Sequence, residues 1–207
     1  MSTPPDNCAN TAAAAFLPPL YRWLGIDEGD EPLPYRDPDG IWTVGKGHNL
    51  EANTVPLRIL QMGDPTATLA DCCYPRSVAF IQSRGGLSTD QVQQLLAYDV
   101  SEMLRWLVPM FTGAPVPWAS WVAQRKAAVS NMGYNLGPVR FAAFDVFIPL
   151  LARGEWVAAG DDLSRQLVAR ELPYRYGRII QTIRTAEWPS ALQLAPPQVA
   201  PSPGEST

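Results

Sequence analysis

Long hydrophobic runs are absent from this 207-residue chain. A membrane-spanning helix needs about 18 or more apolar residues in succession, and the longest apolar stretch, 141–152, is interrupted by Asp145 and Pro149. The N-terminal apolar stretch 12–17 is short and has no Lys or Arg before it, so it does not resemble a secretory signal. We therefore expect no stable membrane insertion and accumulation in the cytoplasm.

Cysteine and histidine are too few for a disulfide framework or a metal site. Cys8, Cys72 and Cys73 are an odd number, none has the spacing of metal ligands, and the adjacent pair would form a strained ring if bridged. His48 is the single histidine, so the two-histidine motif of zinc hydrolases cannot be built. We expect free thiols, a reducing compartment, no metal and no cofactor.

Positive charge is also scarce, which argues against nucleic acid as a partner. Sixteen basic residues stand against twenty acidic ones, for a net charge of −4, whereas phosphate binding favours a basic face. Residues 1–64 hold nine acids and four bases, but residues 120–190 hold six acids and nine bases. Fourteen of the bases are Arg, and Lys46 and Lys126 are the only lysines. The second half could attract an anionic substrate or could be a solvated helical surface.

Hydrophobic periodicity predicts an α+β fold with two lobes. A helix is expected over 12–28, and strand-like runs on both sides of the D-P-D-G turn at 37–40 predict a β-hairpin. The segment 51–86 shows no clear period. We expect it to be irregular, the least ordered part of the body, with Gly85-Gly86 as a hinge.

Apolar residues recur at helical spacing from residue 87 onward. Ser88-Thr89-Asp90-Gln91 is a capping box that opens a long linking helix, expected over 87–108. This helix joins a small N-terminal hairpin lobe to a larger helical lobe, whose helices are expected at 117–136, 139–153, 155–170 and 173–187. The expected organisation is an N-terminal extension (1–19), one domain (20–188, with lobes at 20–86 and 109–188) and a flexible proline-rich tail (189–207).

Glu28, Asp37 and Thr43 are candidate catalytic residues. Glu28 ends the first predicted helix, Asp37 opens the hairpin turn nine residues later, and Thr43 lies on the returning strand six residues after Asp37. A glycosidase needs two carboxyl groups on opposite sides of the bond that it cleaves, and a helix end beside a hairpin can hold two carboxylates across a cleft. Asp37 is also a natural turn residue, so spacing alone leaves a structural role open.

The residues around these three resemble the phage-type lysozymes, the family of the T-even phage enzyme (glycoside hydrolase family 24). The resemblance begins with I-D-E-G at 26–29 and Y-R-D-P-D-G-I-W-T-V-G-K-G-H at 35–48, which keep the family's Glu, Asp and Thr spacing and its G-x-G-H. It continues through N-M-G-Y-N-L-G at 131–137 and P-Y-R-Y-G-R at 173–178. It covers about residues 20–188 and implies a lysozyme-like fold.

The resemblance implies a role for each matching catalytic residue. Glu28 would be the general acid that protonates the glycosidic oxygen. Asp37 would activate water or stabilise positive charge on the sugar ring, and Thr43 would help to hold that water. Arg175 matches the family's arginine that pairs with the catalytic Glu.

Further positions are implied to support the fold or to contact the substrate. His48 would form a structural ion pair with Asp99. Family cleft positions correspond to the residues Asn49, Tyr134, Asn135, Phe147 and Asp162. Three of these depart from the family, because Asn49, Phe147 and Asp162 stand where Leu, Ser and Asn are usual.

The sequence thus predicts an endolysin-like muramidase that acts as a monomer without a cofactor. Its partner would be the glycan strands of peptidoglycan, and it would wait in the host cytoplasm until a holin or another membrane lesion gave access to the wall. A virion or wall-binding protein that kept the fold, and a chitinase-like hydrolase on a related fold, are the alternatives. Retention of Glu28, Asp37 and Thr43 together argues against lost activity.

Overall fold

The computed structural model describes residues 15–193 and confirms the predicted α+β architecture. The first elements are α1 (Leu17–Glu28), β1 (Glu31–Arg36), β2 (Trp42–Gly45), β3 (His48–Asn49), α2 (Leu57–Gly63) and α3 (Arg76–Ser83). They are followed by α4 (Thr89–Leu107), α5 (Ala123–Ala142), α6 (Phe147–Ala152), α7 (Trp156–Arg165), α8 (Leu167–Glu171), α9 (Pro173–Thr185) and α10 (Ser190–Gln193). None of the helices within this described range is long and apolar enough to cross a bilayer.

The predicted hairpin is present and gains a third strand. The strands pair antiparallel in the order β1-β2-β3, with Thr43 opposite Tyr35 on one side and opposite Asn49 on the other. Directly paired residues point to the same face of a sheet and neighbours along a strand point to opposite faces. Tyr35, Thr43 and Asn49 therefore share one face, while Val44 faces the buried core on the other.

The segment 51–86 is helical, so the expectation of an irregular segment is wrong. A 3₁₀ helix at Leu69–Cys72 lies between α2 and α3. Apolar side chains of the segment join Val44 of the sheet in a small-lobe core: Val55, Ile59, Leu60, Ala67, Cys72, Val78 and Ile81. Helices of seven and eight residues have too few turns to show a clear period, which is why the pattern hid them. The hinge at Gly85-Gly86 and the mobility of the segment stay predictions.

The linking helix α4 is confirmed and belongs to both lobes. Ser88 and Gln91 form the predicted capping box at its start, and the amide of Gln91 also donates to the carbonyl oxygen of Ile59 at 2.7 Å, which ties α2 to α4. The first half of α4 contributes Val92 and Leu95 to the small-lobe core. Its second half contributes Leu96, Val100, Met103 and Leu107 to the core of the helical lobe.

Helix boundaries in the second lobe differ from the prediction. α5 begins at Ala123 rather than 117, because Val122 is extended and a 3₁₀ turn at Trp118–Ser120 precedes it. At Gly137 α5 kinks through a positive φ of 68°. The predicted helix over 139–153 is replaced by the end of α5 and by α6. The one over 155–170 is divided into α7 and α8 by the extended backbone of Gln166.

Both predicted ends of the domain need correction. Phe16, placed in the N-terminal extension, is buried in the helical core, as are Leu20 and Trp23 of α1. The buried side chains of α1 thus belong to the core of the helical lobe. At the other end α10 lies inside the predicted flexible tail, yet Leu192 is buried in the same core. Residues 1–14 and 194–207 lie outside the described residues.

The Gly86→Ala substitution should destabilise the protein by about 1–3 kcal/mol. Gly86 has a φ of +105°, and an added Cβ would lie 2.9 Å from the carbonyl oxygen of Pro32 on β1. Gly113→Ala is the matched control, because Gly113 has no atom within 4 Å of an added Cβ and its φ is not positive. Thermal unfolding measures both, and equal melting temperatures for the two variants would contradict the expectation.

Candidate active site

Glu28 lies at the boundary between the lobes. It is the last residue of α1, and Gly29 turns the chain away with a positive φ of 74°. Its Oε1 lies 2.6 Å from Nη1 of Arg175 on α9, which is the ion pair that the sequence predicts. Its Oε2 faces the hairpin lobe, since a Cβ added to Gly47 would lie 3.4 Å from it. The Glu28 carboxyl group is therefore paired with the helical lobe through Oε1 and lies beside the hairpin lobe at Oε2.

A buried cluster of charged side chains packs around Arg175, the partner of Glu28. The Asp27 side chain is 1% exposed and pairs with Arg178 and, at 3.7 Å, with Arg175. Asn131 on α5 connects these groups, because its amide donates to Asp27 at 2.9 Å and its side-chain oxygen accepts from Nε of Arg175 at 2.9 Å. The guanidinium groups of Arg175 and Arg178 thus face the carboxyl groups of Asp27 and Glu28, and Asn131 fixes the orientation of Arg175 toward Glu28.

Asp37 is fixed by the hairpin turn. Its Oδ1 accepts hydrogen bonds from the backbone N–H groups of Asp39 at 3.0 Å and Ile41 at 2.8 Å. The half-exposed side chain therefore performs the structural role of a turn residue. Both of these bonds use the same oxygen, which leaves Oδ2 for another partner.

Tyr35 is paired with Thr43 on the sheet, next to the turn that carries Asp37. Partial burial raises the pKa of the Tyr35 phenol, and the charges of Glu28, Asp37 and Glu31 raise it further. Tyr35 shares its sheet face with Thr43, which is 4% exposed and donates its hydroxyl to the carbonyl oxygen of Ile41 at 3.2 Å. Tyr35 and Thr43 thus lie together on the sheet face beside the Asp37 turn.

A cleft of about 530 Å³ opens beside Gly47, between the sheet, α4 and α5. Its walls combine aromatic, amide and acidic side chains. The lining residues include Gly47, His48, Asn49, Asn53, Tyr98, Asp99, Glu102, Met103, Trp106, Gly133, Tyr134, Asn135 and Leu136. The predicted substrate positions Asn49, Tyr134 and Asn135 are therefore brought together in this cleft.

The side-chain oxygens of Asn49 and Asn135 are engaged by the protein. Asn49 accepts from the backbone N–H groups of Glu51 and Ala52 at 2.9 Å, so its oxygen caps a turn. Asn135 accepts from the hydroxyl of Tyr176 at 3.0 Å. In both, the side-chain NH₂ group is left to meet a ligand.

The remaining two substrate positions are not in the cleft lining. Phe147 is fully buried in the helical core, where its ring lies edge-on to that of Phe144. Its side chain is therefore not accessible to a ligand in this structure, in contrast to the expected place in the cleft. Asp162 is buried on α7 and engages Arg165 and Gln166. Its described contacts are structural ones.

His48 and Asp99 form the predicted pair. Nδ1 of His48 lies 2.8 and 3.0 Å from the two carboxylate oxygens of Asp99, and the imidazole is fully buried. The pair joins β3 to α4 and forms part of the cleft wall. Within residues 15–193, no group of three or more His, Cys, Asp or Glu side chains could hold a metal ion.

Sequence reasoning missed Tyr35, Asp27, Asn131 and Arg178. The alternation of β1 could have found Tyr35, because it stands two residues before Asp37 and therefore on the same face. Arg178 follows Arg175 by three residues, which places both guanidinium groups on one side of α9. No local pattern marks Asp27 or Asn131, since their roles come from contacts between residues 104 positions apart.

Comparison with known proteins finds distant lysozyme relatives. No protein-family model matches the chain. The chain is 23% identical to "Probable T4-type lysozyme 2" of Dictyostelium discoideum over 171 residues, which cover 80% of the chain and 94% of that protein. It is 21% identical to "Probable T4-type lysozyme 1" of the same organism over 162 residues, which cover 78% and 91%. The matches support a lysozyme-like chain, in agreement with its α+β fold.

Stability at alkaline pH should depend on Tyr134. Burial raises the pKa of this phenol well above its usual value, the charges of Asp99 and Glu28 raise it further, and Arg175 lowers it. A raised folded-state pKa contributes stability that is complete below the unfolded value of about 10 and is lost as pH rises through the folded value. The melting temperature should therefore fall above about pH 10, and Tyr134→Phe should remove part of that fall.

The matched control is Tyr174→Phe, because Tyr174 is 85% exposed. Melting curves recorded from neutral to alkaline pH should show the wild-type decline in this control. If Tyr134→Phe declined as steeply as the wild type, the phenol would not contribute in this way.

Proposed function

We propose that the protein is a muramidase that hydrolyses the β-1,4 bond between N-acetylmuramic acid and N-acetylglucosamine in peptidoglycan. The observation that carries the proposal is the placement of Glu28 at the lobe boundary, with Oε1 paired to Arg175 and Oε2 beside Gly47 of the cleft wall. Asp37, on the hairpin turn, supplies the second carboxyl group. Similarity to two T4-type lysozymes supports the same reading.

In the proposed reaction Glu28 donates its proton to the glycosidic oxygen as the bond from that oxygen to the anomeric carbon breaks. A water molecule attacks the anomeric carbon from the opposite face and transfers its proton to Oδ2 of Asp37, which the turn leaves free for this purpose. Thr43 helps to hold that water from the neighbouring strand. Asn49, Tyr134 and Asn135 contact the glycan, and no metal or cofactor takes part.

The helical lobe supports binding to an anionic wall. Arg140, Arg165 and Arg170 are exposed on this lobe, whereas the first third of the chain is acidic. Guanidinium groups attract phosphate and carboxylate over several ångströms, and the attraction weakens with salt. We propose that the helical lobe makes the first contact with the wall.

We further propose a lytic role of the endolysin type, which the sequence resemblance to phage-type lysozymes supports. The protein would act as a monomer, wait in the host cytoplasm and reach the wall through a holin or another membrane lesion. Expression inside bacteria should then cause lysis only when the inner membrane is permeabilised at the same time. Lysis without a membrane lesion would contradict this part of the proposal.

Digestion of purified peptidoglycan and of chitin tests the reaction. Mass spectrometry of the products should show muropeptides with N-acetylmuramic acid at the reducing end, and chitin should be cleaved weakly. Efficient chitin cleavage would indicate the chitinase-like alternative, and binding to peptidoglycan without cleavage would indicate a wall-binding protein.

The Glu28→Gln substitution should lower the rate of peptidoglycan hydrolysis by at least about 10²–10⁴-fold, because it removes the general acid and keeps the shape of the side chain. Binding to sedimented peptidoglycan should persist. Glu187→Gln is the control, since Glu187 is exposed near the end of the domain and should retain full activity. Full lytic activity in Glu28→Gln would reject the assignment.

Products should be released with inverted configuration at the anomeric carbon. A water held between Asp37 and the sugar would attack from the face opposite the leaving group, as in glycosidases whose carboxyl groups are about 6.5–9.5 Å apart. Proton NMR of the first products should therefore show the α-anomer before mutarotation. An initial β-anomer would instead make Asp37 a nucleophile.

A further inference from the structure

Lys46 occupies the variable position of the G-x-G-H motif, in the turn between β2 and β3. Its side chain is only 6% exposed. Burying an ammonium group is unfavourable unless hydrogen bonds or an opposite charge compensate for lost water. The backbone of the turn does not require a lysine side chain, so the role of Lys46 must be inferred from the contacts that its side chain makes.

The ammonium group lies against the end of α1. Nζ donates to the carbonyl oxygen of Gly29 at 3.0 Å and lies 3.5 Å from a carboxylate oxygen of Asp30. A Cβ added to Gly25, on the last turn of α1, would lie 3.8 Å from the same nitrogen. A cation is favoured at this place, because helix C-termini carry partial negative charge and carbonyl groups without helical partners.

The backbone of Lys46 is held from the opposite lobe. The hydroxyl of Tyr134 on α5 donates to the Lys46 carbonyl oxygen at 2.7 Å. The raised pKa of Tyr134 keeps this donor protonated at neutral and mildly alkaline pH. The next residue, Gly47, lies against both Oε2 of Glu28 and the ring of Tyr134, at 3.4 and 3.9 Å from an added Cβ.

We infer that Lys46 is a positioning residue for Glu28, an inference that rests on the proposed function. Its ammonium group binds the carbonyl oxygen of Gly29, the residue after Glu28, and its own carbonyl oxygen is bound by Tyr134 across the lobe boundary. One residue thus sets the position of the α1 end relative to the Gly47 wall of the cleft. Arg175 orients one oxygen of Glu28, and Lys46 determines where the other oxygen meets the cleft.

The test replaces each of the two lysines by methionine, which keeps the length of the side chain and removes its charge. Lys126 is the matched control, because it is equally buried and donates to one carbonyl oxygen, that of Ala119, within the helical lobe. With sonicated peptidoglycan as substrate, Lys46→Met should lower kcat by about tenfold to hundredfold, the effect of a small misplacement of a catalytic group. KM should change less than twofold, because Lys46 is not among the cleft-lining residues.

Lys126→Met should retain kcat per folded molecule even if it melts earlier. An unchanged kcat in Lys46→Met, or an equal fall of kcat in both variants, would overturn the inference. If Lys46→Met does not fold, Lys46→Gln takes its place, because it removes the charge and keeps a hydrogen-bond donor, and it should lower kcat in the same direction.

A second measurement does not depend on activity. Lys46→Met and Tyr134→Phe should shift the melting temperature non-additively when combined, whereas Lys126→Met and Tyr134→Phe should be additive. Additive shifts for Lys46→Met and Tyr134→Phe would contradict the coupling of these two residues even if the enzyme is active. A wild-type protein without glycosidase activity would reject the proposed function. The melting data would then decide whether Lys46 and Tyr134 are energetically coupled.

Discussion

The buried ion pairs at the end of α1 are the constraint on which the rest of the arrangement depends. Asp27 and Glu28 are adjacent residues, and both point to α9, where Arg175 and Arg178 receive them. Removing one partner would leave an uncompensated charge in a poorly solvated place. This lowers the free energy of unfolding more than replacing both partners by apolar side chains would. The cluster therefore fixes α1, α5 and α9 relative to one another, and the direction of Glu28 follows from it.

The division of the two cores explains how the site can be both rigid and adjustable. α1 packs with the helical lobe, whereas the turn that carries Asp37 belongs to the sheet of the small lobe. The two carboxylates thus stand on different bodies, joined by α4 and by the contacts around Lys46. Any movement of one lobe about α4 therefore changes the space between the carboxylates.

The sequence predicts the elements whose signals are local. The D-P-D-G turn, the capping box at Ser88 and the nine- and six-residue spacings from Glu28 to Asp37 and Thr43 all depend on neighbours along the chain, and the hairpin and α4 lie where they were expected. The helices inside 51–86 were missed because they are short. Phe147 was expected in the cleft but is buried in the helical core. A position that matches a family motif does not predict the direction of its side chain. Asn131 was not given a role because its partners are distant in sequence.

Both lysines of the chain are buried, one in each lobe, and every other basic side chain is an arginine. A protease that cuts only after lysine therefore finds no accessible site on the folded molecule. Cleavage after Lys46 requires the hairpin lobe to open, and cleavage after Lys126 requires the helical lobe to open. Because proteolysis of a transiently open form follows its population when reclosing is fast, the two cleavage rates report separately on the local stability of the two halves.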